Sequence, residues 1–122
     1  MSGKSNMQFW LSLDGENIDL PKIEEALHIR LNGSCIDAPK ELPINRDCPI
    51  FYEQIAWLLD LAEKNRETLI GSGVDLSRSQ IWLNYAYYKQ CNMEFDAALL
   101  ERMGKLGLKL CISCEEVSTF SA

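Results

Sequence analysis

The sequence is poor in the residues from which catalytic and phosphate-binding sites are usually built. His28 is its only histidine, and no segment has the G-x-G-x-x-G or G-x-x-x-x-G-K form that cradles phosphates. A histidine-assisted nucleophile needs an oriented partner and a supporting acid, and no local motif supplies them around His28. Long apolar runs are missing too. Stretches such as Ile55–Leu59 and Leu106–Ile112 are short and bounded by polar residues, well under the roughly 20 residues that span a bilayer. The opening Met1–Asn6 has neither an apolar core nor a small-residue cleavage site, so no secretion signal is expected. Positive charge is scarce: 12 Lys and Arg stand against 18 Asp and Glu, for a net charge of −6. That balance disfavours nucleic acid and anionic membranes as partners, because both need a basic face. Five cysteines, Cys35, Cys48, Cys91, Cys111 and Cys114, are an odd number at irregular spacings. The pattern argues against a disulfide framework and predicts reduced thiols in a cytoplasmic protein.

What is present fits one globular domain. A chain of 122 residues, 47% apolar and 25% charged, buries a single core without a second domain. Its clearest organisational signal is a weak internal repeat, in which Gln8-Phe9-Trp10-Leu11 returns as Gln80-Ile81-Trp82-Leu83. Each copy alternates apolar and polar residues with period two, the mark of a half-buried strand. Behind the first copy come the acidic cap Asp19 and a helical pattern with Leu20, Ile23 and Leu27 on one face. Behind the second come Asp96 and then Leu99, Leu100, Met103 and Leu106. Strand candidates close both units, at about Ile29–Ile36 and Leu108–Cys114.

Between the two units lies the strongest helical stripe, Phe51, Ile55, Leu58, Leu59, Ala62 and Leu69. The expected organisation is therefore βαβ over 7–36, a Pro-rich loop over 37–50, a long helix over 51–70, βαβ over 79–116 and a frayed tail over 117–122. The expected fold class is α+β, with ferredoxin-like duplicated βαβ units, an additional long central helix and a mixed sheet. Its odd-numbered strand residues should pack under the short helices, leaving Trp10 and Trp82 together on the opposite face.

The remaining chemical candidates resolve into ordinary structure. Cys111 and Cys114 have the C-x-x-C spacing of zinc and redox sites, but residues three apart on a strand point to opposite faces. The carboxylate pairs Glu24-Glu25 and Glu115-Glu116 are neighbours in sequence and diverge in space. No catalytic residues, metal ligands or cofactors are expected, so the chain should act by binding rather than by catalysis.

Two features point to a binding surface. Splitting the chain after Glu63 gives 11 acids and 5 bases in the first part and 7 of each in the second. Trp57 lies away from the apolar stripe of the central helix, beside Glu53, Asp60 and Lys64. An aromatic among acids resembles an interface anchor. The partner-binding candidates are Asp37, Glu41 and Asp47 from the loop and Glu53, Trp57 and Asp60 from the helix.

The segments Phe9–Gly15, Asp19–Ile29, Phe51–Leu69, Ile81–Tyr87 and Leu99–Cys114 together resemble the bacterial family known as domain of unknown function 4279, whose members are small soluble proteins, some in toxin-immunity gene neighbourhoods. The likeness covers nearly the whole chain, through hydrophobic positions and turns. Asn32-Gly33 matches the family's glycine-containing segment only loosely, and the Pro-rich loop is particular to this sequence. The resemblance brings no catalytic residues. It implies an immunity protein, an antitoxin that neutralises a cognate toxin, and a basic nuclease-like effector would suit the acidic half electrostatically. The alternative expectation is a regulatory domain that binds a small molecule against the Trp10 and Trp82 face.

Overall fold

The structure, a computed structural model, describes residues 7–39, 52–87 and 93–117. Alternating side chains build four strands: β1 (Met7–Ser12), β2 (Cys35–Asp37), β3 (Gln80–Tyr87) and β4 (Lys109–Glu116). They form one mixed sheet in the order β2-β1-β3-β4. β1 runs antiparallel to both β2 and β3, whereas β3 and β4 are parallel. The helices are α1 (Leu20–Leu27), α2 (Tyr52–Lys64), α3 (Arg66–Gly71) and α4 (Ala97–Leu106), with a 3-10 turn at Leu76–Arg78.

Strand periodicity sorts the sheet's residues as its alternation requires. Phe9, Leu11, Ile81 and Leu83 are buried, and join one core with Ile23 of α1, Ile55, Leu58, Leu59 and Ala62 of α2, Leu69 of α3 and Leu99 and Met103 of α4. Fully burying a side chain of this kind contributes about 1.5–3 kcal/mol, so the core holds the two layers together. The domain is thus α+β with a four-stranded mixed sheet. Its halves are not built alike, however: the strands of the first unit are adjacent and antiparallel, those of the second adjacent and parallel. Among the described residues, parallel βαβ geometry is present only in β3-α4-β4, and the strand pairing carries the ferredoxin-like expectation no further than one mixed sheet.

Two elements differ from their expected bounds. The second strand, expected over Ile29–Ile36, pairs only at Cys35–Asp37. Asn32 and Cys35 exchange backbone hydrogen bonds of 2.9 Å around Gly33, whose φ is +62. Gly33 and Ser34 form the two-residue turn between them, glycine supplying the positive φ at its first position, and the chain reverses there before pairing with β1 begins. The helix expected over 51–70 is interrupted at Asn65, where φ is −112 and the side-chain amide donates to the Leu61 carbonyl at 2.9 Å. An Asn side chain that bonds backbone in this way competes with regular helix.

The helix ends follow local chemistry. The Asp19 carboxylate accepts from the Lys22 N–H and caps α1, which closes with His28 in the left-handed region. Asp96 occupies the matching position before α4 without a side-chain cap bond, and Gly107 ends that helix at φ +82. A seam ties the segment after β1 to the turn after α3. Across it the Glu16 N–H donates to Gly73, Asp19 to Ser72 and Asp75 to Asp14.

Candidate functional site

The even-numbered residues of β1 and β3 stand on the sheet face away from the helices. Strand register aligns four of the sheet's side chains in a row across that face, Asp37, Trp10, Trp82 and Cys111. The two indoles stack with ring centroids 6.0 Å apart and planes 8° from parallel. Both are half-buried. The Trp82 Nε1–H donates to Gln80 Oε1 at 3.2 Å, and the Gln80 amide in turn donates to the Arg78 carbonyl at 2.6 Å, so this edge of the platform is fixed. Asp37 accepts from the Asn32 amide at 3.4 Å and remains exposed. Gln8, Ser12 and Asn84 fill the neighbouring rows. Such a surface offers aromatic area and amide hydrogen bonding, with the Asp37 carboxylate beside the indoles and Lys109 and Glu115 further out on β4.

The helical candidates are placed on the other layer. Glu53 is exposed on α2, and Trp57 is half-buried, packed against the core rather than standing clear of it. Asp60 is engaged: Arg102 of α4 donates through Nη2 to Asp60, and through Nε and Nη2 to both oxygens of Glu63. Hydrogen bonding from Arg102 holds the Glu63 carboxyl below its usual range, and the bond to Glu63, followed by that to Asp60, raises the Arg102 pKa. Two carboxylates of the acidic helix therefore share one guanidinium, which removes much of their steering charge. Glu41 and Asp47 lie outside the described residues. Of the four described candidates, only Asp37 shares a surface with Trp10 and Trp82, whereas Glu53, Trp57 and Asp60 belong to a helix covering the opposite face.

Cys111 lies in the row of Trp82, and Cys114 pairs with Tyr85, a position of opposite strand parity. Among the described residues no three His, Cys, Asp or Glu side chains converge. A shallow cleft of about 460 Å³ lies between α3, the 3-10 turn and α4, lined by Arg66, Ile70, Asp75, Ser77, Gly104 and Lys105 among others. Its charges are of both signs and it opens widely to solvent, so it lacks the convergent polar groups of a ligand site. No described helix is long and apolar enough to cross a membrane.

Sequence reasoning missed Arg102, which lies 42 positions from Asp60 and 39 from Glu63. The only local signal was its place beside the buried Met103 in a helix rich in apolar residues. No family model, curated protein or solved structure matches the chain.

Proposed function

We propose that the chain is a non-catalytic binding protein of the immunity type, acting in the cytoplasm. It captures a basic protein toxin on the open face of its sheet. The observation that carries this reading is the stacked, half-buried Trp10–Trp82 pair in register with Asp37. Tryptophan is the residue most often found where binding energy concentrates, and an adjacent carboxylate suits the Lys or Arg of a basic partner by ion pairing and by cation–π contact. The acid excess of the first 63 residues would speed the encounter. Four of the face's rows hold a single cation, Lys109, which favours a protein over nucleic acid or an anionic membrane. Membership of domain of unknown function 4279, and a ferredoxin-like duplication behind the two halves, belong to the same proposal.

The test is titration of the purified chain with the toxin-type protein encoded beside it, reading tryptophan emission. Complex formation should shift that emission. Trp10→Ala should weaken binding by about 2 kcal/mol, or roughly thirtyfold, while Asp37→Lys should slow association in a salt-dependent way. A folded Trp10→Ala protein that binds as tightly as wild type would remove the sheet face from the interface, and the lack of any toxin-type neighbour would remove the immunity role. The small-molecule reading uses the same face, favoured by the near-parallel indoles, which offer a platform to a planar ligand. It gains if a small ligand, and no protein, shifts the emission.

A further inference from the structure

β4 is the last strand of the sheet, and its outer edge meets no other described strand. Its inner hydrogen bonds fix which residues face outward. The Lys109 N–H donates to the Ser79 carbonyl at 3.3 Å, and the Val117 N–H to the Tyr87 carbonyl at 2.8 Å. Backbone groups alternate in direction along a parallel ladder, so the odd-numbered residues of β4 turn theirs towards β3, while Leu110 and Ile112 turn theirs to the open edge.

The side chains of this edge are unusual. Ile112 is 43% exposed on the helix side of the strand, among the few large apolar residues left so open in the described part of the chain. Lys109 and Glu115 are exposed on the tryptophan side, and among the described residues neither forms a salt bridge. Six positions at about 3.3 Å each separate them by roughly 20 Å, too far to pair with one another. Each lies three positions from Ile112, one on either side.

We propose that β4 pairs antiparallel with β4 of a second copy of this chain, about a two-fold axis perpendicular to the sheet that passes midway between Ile112 of the two copies. In this register Lys109 faces the second copy's Glu115, and the symmetry makes the pair twice. Ile112 faces Ile112 of the second copy, and both exchange the backbone hydrogen bonds that they direct outward. Sliding the strands by two residues would set Lys109 against Ser113, or Glu115 against Cys111, and lose both ion pairs, so the charges select one register. The two sheets become continuous, with both tryptophan pairs on the same side. Charged side chains on an edge strand also serve to prevent pairing, which is the opposite outcome and is decided by the same experiment.

The experiment is sedimentation of the full chain over a concentration series, with reductant present. Wild type should pass from monomer to dimer. Lys109→Glu and Glu115→Lys should each weaken the dimer about tenfold, since each turns two attractive pairs into two repulsive ones. The double variant, with the charges exchanged, should regain most of the wild-type affinity. Ile112→Lys should abolish the dimer by placing two cations at the axis, and the circular dichroism of each variant should match wild type, because all three side chains are exposed. A chain that stays monomeric, single variants that dimerise undiminished, or a double variant as weak as the single ones would each overturn the proposal.

Discussion

Three glycines should respond to alanine in three different ways, and the differences are set by what surrounds each. At Gly15 an added Cβ would stand 2.0 Å from the Gly73 carbonyl oxygen and 3.0 Å from the Asp75 nitrogen. Reaching even a tight contact of about 3 Å means opening the seam by about 1 Å. Three backbone hydrogen bonds cross that seam: Glu16 to Gly73 at 3.2 Å, Asp19 to Ser72 at 2.8 Å and Asp75 to Asp14 at 2.8 Å. An extra 1 Å takes each beyond useful length. At about 1 kcal/mol each, Gly15→Ala should cost about 3 kcal/mol and lower Tm by about 12 °C. Gly33 has φ +62 and open space around it, so Gly33→Ala should cost only the left-handed backbone penalty, about 1 kcal/mol. Gly104 lies inside α4 with nothing within 4 Å, and Gly104→Ala should stabilise by about 0.5–1 kcal/mol. Thermal and urea melts followed by circular dichroism measure all three. If Gly15→Ala melts within about 2 °C of Gly33→Ala, the close approach at the seam is not what ties these segments together.

Other variants address single interactions. Arg102→Ala should cost about 1 kcal/mol, since its carboxylate partners are largely exposed. The Glu63 carboxyl titrates lower in the folded chain than in the unfolded one, so this contribution is fully present above the unfolded pKa and fades as pH falls through the folded value; urea melts of the two proteins should converge in acid. Ser79 is fully buried, donates to the Asp75 carbonyl at 2.9 Å and accepts from the Asp14 N–H at 3.0 Å, so Ser79→Ala should cost about 1–2 kcal/mol by urea unfolding. Trp57→Ala should cost about 2–3 kcal/mol of folding stability because the ring packs on the core, and an unchanged urea midpoint would return Trp57 to the list of partner contacts.

Strand faces and the buried helical stripe were legible in the sequence because period two and period 3.6 are local signals. Phe9 and Leu11 read as inward, Trp10 as outward, and Ile55, Leu58 and Ala62 as a stripe, and the fold places them so. Pairing direction was not legible, since nothing in the alternation of β1 or β2 distinguishes an antiparallel neighbour from a parallel one. The turn at Asn32–Cys35 was not legible, because Gly33 lies inside a run from Ile29 to Ile36 whose apolar residues have strand character. Asn65 looked like one polar position in a helix, and its bond to Leu61 depends on a rotamer that sequence does not encode. Asp60 read as open because its neutralising partner arrives from a different helix.

The pairing of β1 with β3 also governs when this chain is able to fold. Until β3 has been synthesised, β1 has as its sheet neighbour, among the described residues, only the three residues of β2, and Phe9 and Leu11 lack the strand that completes their layer. The contacts of the second unit are local by comparison, with β3 and β4 joined through α4. Closing the long loop between β1 and β3 costs entropy before any contact compensates for it. Ribosome-bound chains ending near Gly73 should therefore be open to proteolysis throughout, and protection should arrive in one late step as the C-terminal unit gives β1 its central partner.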